Sequence, residues 1–316
     1  MLNVVRVITS ALLLLIPTLS QADEKPAHYF FISHAGVSDP FWKVPFKGAR
    51  DAAKEMGVKL TILAPERPND YGRQITLLRQ AIAQQPDGIA TTISDRNGFS
   101  TSLIEAKQKR IPVIAFNARP TDDNRQRNPY LAYIGMDDYA AGQSLAKQAL
   151  QRGELSKRVV VVIQQAGHAG LEARFGGIAE ILSHHGLSVD RLDSAPTKAE
   201  TEQKFRTYIQ NHSHLSAVIT LGPDAAHPIG RVIKKDGLQL YFASFDLSPL
   251  SARMIKDGLM DFTIDQQPYM QGYLSIKLLH LANRYAMTPP DINTGIGLID
   301  RHNLPSVEKL AKTHIR

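Results

Sequence analysis

Two neighbouring stretches of this 316-residue chain indicate its fold: Ala243-Ser-Phe-Asp-Leu-Ser-Pro249 and Phe262-Thr-Ile-Asp-Gln-Gln-Pro-Tyr-Met-Gln-Gly-Tyr273. Each predicts a short buried strand followed by polar side chains, with Asp246 after the first strand and Gln266 after the second. In an open α/β sheet, ligands bind outside the carboxyl ends of the strands. The pair therefore predicts a site for a hydroxylated ligand, because carboxylates and carboxamides hydrogen-bond hydroxyl groups.

Strands and helices alternate along almost the whole chain after His28. The first strand is Tyr29-Phe-Phe-Ile32, and apolar strands and one-sided helices then repeat in units typical of parallel sheets. A polar, turn-rich segment at 118–130 interrupts the alternation, which restarts with Arg158-Val-Val-Val-Val-Ile163. Because each half is a βαβα series, the pattern predicts an α/β fold of two Rossmann-like lobes with a cleft between them.

The first 22 residues differ in composition from the rest of the chain. Arg6 precedes the apolar run Ala11-Leu-Leu-Leu-Leu-Ile16, and Ser20-Gln-Ala22 supplies small residues for cleavage, so the segment predicts an export signal at 1–22. The apolar run is too short to span a bilayer. The chain contains no cysteine, so neither a disulfide nor a lipid at the cleavage point is expected. Together these features predict a free periplasmic protein of a Gram-negative cell.

The charge distribution argues against a nucleic-acid partner. The net charge is +7, and it becomes +6 without residues 1–22, because Arg6 is the only charged residue that this segment removes. Lysine and arginine are dispersed along the chain rather than concentrated in one stripe. The expected basic surface is therefore solvated and does not indicate a polyanionic ligand.

Motifs for a metal, a nucleotide or catalysis are weak or missing. His184-His185 and His212-Ser-His214 could bind a metal, but they fall at polar helix ends, where solvated side chains are expected. The glycine-rich Gly167-His-Ala-Gly-Leu-Glu-Ala-Arg174 could cradle a phosphate, yet neither Gly-x-Gly-x-x-Gly nor Walker spacing occurs. We therefore expect no cofactor and no metal.

An aromatic pair follows the first strand, in Ser38-Asp-Pro-Phe-Trp42, which holds the only tryptophan of the chain. Aromatic rings can cover the C–H faces of a sugar while polar neighbours bind its hydroxyl groups. The alternative is that Phe41 and Trp42 only cover the core at the start of a helix. The sequence leaves both interpretations open.

With these stretches in place, the chain resembles type I periplasmic binding proteins of the ribose-binding kind, whose core is shared with the effector domains of LacI-type repressors. The resemblance covers about residues 29–299 and depends on four segments in chain order: Asp39-Pro-Phe-Trp42, Ile111-Pro-Val-Ile114, Phe245-Asp246 and Thr263-Ile-Asp-Gln266. It implies two lobes joined by a three-segment hinge. The expected boundaries are 23–135 with 267–291 for the first lobe, and 136–266 with 292–316 for the second.

The resemblance also implies a set of ligand contacts: Asp39, Phe41, Trp42, Thr92, Asn117, Glu172, Gly222, Asp246 and Gln266. Three positions depart from the ribose pattern. Asn117-Ala118 stands where that pattern has Asp-Arg, Glu172 where it has Arg, and Gly222 where it has Asn. Two guanidinium groups are lost and one carboxylate is gained, so ribose itself is not expected. A neutral polyol, an amino-polyol or a weakly cationic solute fits such a pocket better.

By resemblance, the function is capture of a sugar or polyol by closure of a hinge, followed by delivery to an inner-membrane ABC permease. The protein would act as a monomer and would not be an enzyme. A first alternative is a sensor that docks on a histidine kinase or chemoreceptor, which the sequence does not separate from a transporter partner. A second is a sugar enzyme that uses Asp39, Glu172 and Asp246 as acid and base. A DNA-bound repressor is not expected, since an export signal takes the place of a helix-turn-helix.

Overall fold

The protein folds into two α/β lobes, each built on one six-stranded sheet. The computed structural model describes residues 25–316 apart from positions 37, 39, 68–69, 96–97, 120–124, 127 and 154. The predicted export signal at 1–22 therefore lies outside the described residues. No helix in the described part of the chain is long and apolar enough to cross a membrane.

The first lobe contains strands from both ends of the chain, in the order β11-β5-β4-β3-β1-β2, and all of them are parallel. A short 3-10 helix, Pro40–Trp42, precedes its first α-helix. Its elements are β1 (His28–Ile32), α1 (Lys43–Met56), β2 (Lys59–Leu63), α2 (Tyr71–Ala83), β3 (Gly88–Thr91), α3 (Ser100–Gln108), β4 (Val113–Phe116), β5 (Ala132–Gly135), α9 (Pro268–Tyr285) and β11 (Ile292–Asn293).

The second lobe repeats the design with the order β12-β10-β9-β8-β6-β7, in which only β12 is antiparallel to its neighbour. Its elements are α4 (Asp138–Arg152), β6 (Arg158–Ile163), α5 (Ala169–His184), β7 (Ser188–Asp193), α6 (Lys198–Asn211), β8 (Leu215–Thr220), α7 (Pro223–Asp236), β9 (Tyr241–Phe245), α8 (Pro249–Lys256), β10 (Phe262–Asp265), β12 (Gly297–Asp300) and α10 (Leu304–Lys312). The two-lobed α/β architecture expected from the sequence is confirmed.

Three elements escaped the sequence pattern because they are short or terminal: α8, α10 and the two-residue strand β11. Helix α8 did carry a local signal. Ser248 caps it by accepting a hydrogen bond from the Ser251 N–H, and Pro249 occupies its first turn.

The chain crosses between the lobes three times: after β5, at Gln266 and Gln267, and between β11 and β12. The third crossing lies later than the boundary expected after residue 291. Ile292 and Asn293 pair with β5 and thus belong to the first sheet. A strand of two residues is too short to show a period, so the sequence could not place this boundary correctly.

In each lobe, a glycine allows two helices to come into close contact. A Cβ added at Gly272 of α9 would lie 2.0 Å from the Pro45 carbonyl oxygen of α1, and one at Gly177 of α5 would lie 2.2 Å from the Tyr139 carbonyl oxygen of α4. Because only glycine allows such an approach of two backbones, these contacts fix the helices that border the hinge.

Replacement of Gly272 by alanine is expected to lower the free energy of unfolding by about 1–3 kcal/mol, because the new methyl group forces α9 away from α1. Urea unfolding followed by circular dichroism measures this loss. Gly176→Ala is the matched control, since its Cβ would meet nothing closer than Tyr139 Cε2 at 3.4 Å. Equal stability of the two variants would contradict the close helix contact.

Candidate functional site

A cavity lies between the lobes at the carboxyl ends of both sheets. Several of its polar side chains lie close to strand ends: His34 shortly after β1, Asn117 directly after β4, and Asp246 directly after β9. Among the residues that the structure describes, the wall contains His34, Phe41, Trp42, Asn117, Gln164, Gln165, His168, Leu171, Arg174, Pro223, Asp246 and Gln266. This is the location that the strand-end rule predicts for a ligand in parallel sheets.

The two lobes are closed on each other across this cavity. The Ala169 N–H of the second lobe donates to the Ser94 carbonyl oxygen of the first, at 3.4 Å. The imidazole rings of His34 and His168 face each other across the same gap, with 4.7 Å between their centroids. A solute that contacted both walls would therefore be enclosed.

Asp246 lies at one end of a hydrogen-bonded chain that reaches the first lobe. Its side chain is buried, and its Oδ1 accepts a hydrogen bond from Gln266 Nε2 at 2.7 Å. Gln266 Oε1 in turn accepts from Asn117 Nδ2 at 3.0 Å. Asp246 and Asn117 both have left-handed backbone angles, with φ of 67° and 61°. Asp and Asn tolerate this conformation better than most residues, so the residue types fit their turns.

Arg174 contributes a buried cation that the sequence interpretation had left out of the site. Its Nε donates to Asp138 Oδ1 at 2.7 Å, its Nη1 donates to the Leu221 carbonyl oxygen at 3.1 Å, and Asp246 Oδ2 lies 3.7 Å from Nη1. Burial alone would lower the pKa of Arg174, but the carboxylates of Asp138 and Asp246 outweigh it and raise that pKa. The resemblance had carried no arginine over to the site, and the structure places Arg174 on the cavity wall.

Glu172, which the resemblance had placed among the ligand contacts, is not brought to the cavity. Its carboxylate pairs with the Arg191 guanidinium at 2.6 and 2.9 Å and accepts the Gly167 N–H at 2.8 Å. Arg191 is the main cause of the lowered pKa of Glu172. Residues two apart on a helix differ by about 200° around its axis, so Glu172 and Arg174 point to opposite sides of α5.

The aromatic pair lies both in the core and on the cavity wall, and its contact with a ligand remains a prediction. Trp42 is buried in the core of the first lobe, where its ring lies 5.9 Å from that of Phe46 and 6.2 Å from that of Phe116, measured between centroids. Trp42 and the half-buried Phe41 also form part of the cavity wall. Asp39, predicted beside them, lies outside the described residues.

Two further predicted contacts lie behind the wall rather than on it. Thr92 Oγ1 accepts a hydrogen bond from Gln74 Nε2 at 2.9 Å and lies 3.1 Å from His34 Nδ1, so Thr92 orients His34. Gly222 is the cap residue of α7 and precedes Pro223, which does reach the cavity. Thr92 therefore affects the site through His34, and Gly222 affects it through Pro223.

Two histidines on the cavity wall escaped the sequence interpretation. His168 caps α5, because its Nδ1 accepts hydrogen bonds from the N–H groups of Gly170 and Leu171 at 3.1 and 3.3 Å. This bonding leaves the ring proton on Nε2. Burial, assisted by the charge of Arg174, lowers the pKa of His168 to about 3. Burial and the neighbouring His168 also hold the pKa of His34 well below its usual value.

Gln164 and Gln165 were also missed, although the sequence carried a signal for them and for His34. Gln164 and Gln165 follow β6 directly, as His34 closely follows β1, and the strand-end rule applied to every strand would have selected them. His168 lacked such a signal, since histidine is not among the usual helix caps.

The histidine pairs that could have bound a metal lie apart from the cavity. His185 Nδ1 lies 2.8 Å from the Ile181 carbonyl oxygen, and His212 Nδ1 lies 2.8 Å from the Tyr208 carbonyl oxygen. Within the described ranges, no group of three His, Cys, Asp or Glu side chains is arranged to hold a metal ion.

The chain matches known proteins over the region that contains both lobes. A family model for the periplasmic binding protein domain matches residues 30–283. The chain belongs to the periplasmic binding protein family. A crystal structure described as a periplasmic sugar-binding protein of an ABC transporter from Legionella pneumophila is 37% identical in sequence, with a TM-score of 0.82. The match covers 85% of this chain and 99% of that one.

Two other relatives of this binding protein extend the comparison. The carbohydrate transporter structure from Acidothermus cellulolyticus, solved in complex with myo-inositol, is 27% identical with a TM-score of 0.84, and the match covers 92% of this chain and all of that one. The xylose/arabinose-binding protein of Sulfolobus acidocaldarius is 28% identical over 288 residues, which are 87% of this chain and 71% of that protein. The two-lobed fold is that of a type I periplasmic binding protein.

Proposed function

We propose that this binding protein captures a small neutral sugar or polyol between its lobes and delivers it to an ABC transporter. The observation that carries the proposal is the enclosed wall of carboxylate and carboxamide groups contributed by both lobes. Asp246, Asn117 and Gln266 provide acceptors and donors there, and Phe41 provides an apolar face. Burial of a polyol costs free energy unless its hydroxyl groups are paired, and such a wall supplies the partners.

The charge balance of the wall supports a neutral ligand although Arg174 is present. Its Nε and Nη1 atoms already donate to Asp138 and to the Leu221 carbonyl oxygen, and Asp246 lies beside it. Two carboxylates thus surround one guanidinium group, and the local charge does not favour an anion. Asp246, Asn117, Gln266, Phe41 and Trp42 remain our proposed ligand contacts.

The relatives support sugars and cyclic polyols as the class to test, because they are described as binding xylose and arabinose or contain myo-inositol. A thermal-shift screen of the purified protein with D-xylose, L-arabinose, D-ribose and myo-inositol tests the proposal. A ligand at 100 times its Kd stabilises the folded state by about 2.7 kcal/mol, which raises the melting temperature by several degrees. Phosphorylated sugars serve as the anionic control. A response to these alone, or to no polyol at all, would contradict the proposal.

We also propose that the protein acts in the periplasm after cleavage at Ala22, as a monomer whose closed form is recognised by an inner-membrane permease. Mass spectrometry of the protein purified from the periplasm measures the cleavage point. Uptake of the radiolabelled ligand should fall when the gene is deleted. Normal uptake combined with a lost transcriptional response to the ligand would instead favour a sensor partner.

A further inference from the structure

Gln164 presents an unpaired acceptor at the cavity. It follows β6 directly, and its side chain forms part of the wall. Its Oε1 atom is buried and has no hydrogen-bond partner among the residues that the structure describes. A buried acceptor without a partner is costly, so this oxygen requires a donor. Since Gln164 is a residue of the cleft wall, a hydroxyl group of a ligand in the cleft is the donor that fits this oxygen.

The carboxamide of Gln164 occupies the space beside Gly222, at the end of the neighbouring strand β8. A Cβ added at Gly222 would lie 2.2 Å from Gln164 Nε2 and 3.1 Å from Gln164 Cδ. Gly222 has an extended backbone, with φ and ψ both at 173°, which any residue can adopt. Glycine is therefore required at this position for the space that it leaves to Gln164.

This contact explains one departure of the chain from the ribose-binding pattern, which has an asparagine at the position of Gly222. We infer that Gln164 supplies, from β6, the ligand-binding carboxamide that the ribose pattern supplies from position 222, and that Gln164 Oε1 accepts a ligand hydroxyl group. Gln164 is then a specificity-determining residue, because its oxygen approaches the ligand from a different strand end. The inference rests on the proposed function and names a contact within that site.

Titration calorimetry with myo-inositol, D-xylose and L-arabinose tests the contact. Gln164→Met keeps the length of the side chain but removes the acceptor, and we expect affinity for the bound polyol to fall at least tenfold. Gln148→Met is the matched control, because the Gln148 side chain lies on α4 and accepts a hydrogen bond from Arg152 Nε at 3.2 Å, away from the cavity wall. This control should bind as the unaltered protein does. The melting temperature of each variant without ligand checks that the fold is retained.

Moving the carboxamide from position 164, after β6, to position 222, after β8, tests whether it binds the ligand or only fills space. Gly222→Asn alone should bind weakly, because its side chain collides with Gln164. The double variant Gln164→Ala/Gly222→Asn should bind more tightly than Gln164→Ala. The double variant Gln164→Ala/Gly222→Leu, which fills the same space without an amide, should not.

The possible failures are distinguishable. If the unaltered protein binds a polyol but Gln164→Met binds it equally well, the contact is overturned while the proposed function stands. Equal affinities of the asparagine and leucine double variants would likewise reduce Gln164 to a packing role. If the unaltered protein binds none of the three polyols and shows no thermal shift with D-ribose, both the proposed function and the inference are overturned.

Discussion

Replacement of Asp246 by alanine is expected to weaken polyol binding by about 10- to 100-fold. The carboxylate accepts a hydrogen bond from Gln266 and lies beside Arg174, so its loss removes an acceptor for the ligand and disrupts the contact chain at the hinge. Hydrogen bonds to charged groups contribute about 1.5–3 kcal/mol each, and about 1.4 kcal/mol corresponds to a tenfold change in Kd. Titration calorimetry with the polyol that gives the largest thermal shift measures the change.

A carboxylate at the other end of the same sheet provides the matched control. Asp261 precedes β10 and accepts the Phe242 N–H at 2.8 Å, so Asp261→Ala also removes a partly buried carboxylate, but far from the cavity. It should lower stability and leave the affinity of the folded protein within about twofold, since its hydrogen bond does not depend on the ligand. If Asp261→Ala and Asp246→Ala weakened binding equally, Asp246 would have a general structural role instead.

Acidification is expected to release the ligand through the histidine pair at the cleft. His34 and His168 are buried against each other in the closed form, and burial lowers the pKa of both, in the case of His168 to about 3. When the lobes open, solvent reaches the rings and their pKa values return towards about 6.5. A lowered pKa in the closed form means that closure is fully favoured above about pH 6.5 and loses stability as the pH falls below that value.

The magnitude follows from the two titrations. Each histidine that charges only in the open form weakens binding by about tenfold for each pH unit below about 6.5, so two histidines give up to about 100-fold between about pH 7.5 and 5.5. Calorimetric Kd values at these two pH values measure the effect. The ratio of the two Kd values should shrink in His34→Asn and again in the double variant with His168→Asn. Asparagine suits the second position because its side-chain oxygen can still cap α5.

His227 is the control, because it is a buried histidine that does not belong to the His34–His168 pair. Its Nε2 lies 2.9 Å from Ser248 Oγ inside the second lobe, and burial lowers its pKa to about 4. Because the Ser248 partner of His227 belongs to the same lobe, His227→Asn should leave the pH ratio of Kd unchanged. A pH-independent Kd in the unaltered protein would show that the histidine pair does not couple to closure.

Much of the cavity was predictable from local pattern. Asp246, Gln266 and Asn117 each follow a short apolar strand, and parallel strands bring their carboxyl ends to one edge of the sheet. The structure places all three on the cavity wall, although their contact with a ligand remains a proposal. Gln164 obeys the same rule and was recognisable in principle.

The orientation of α5 was not predictable in the same way. Whether Glu172 or Arg174 faces the cleft depends on the rotation of the helix about its axis, and a shift of two residues reverses the choice. That rotation follows from the cap formed by His168 and from the close approach of Gly177 to α4. The first is a local contact of an unusual residue type, and the second is a contact between distant elements.

Local pattern was enough to predict the alternation of strands and helices, the division into two similar lobes and the strand ends that carry polar groups. These features depend on hydrophobic periodicity and on turn residues that are close together in the chain. The three-dimensional arrangement was needed to show which strand-end groups meet across the cavity, that Arg174 rather than Glu172 lies on its wall, and that His34 and His168 lie next to each other. These contacts depend on how the two lobes pack against each other. They join residues that are far apart in the chain, and short-range sequence patterns do not report on such contacts.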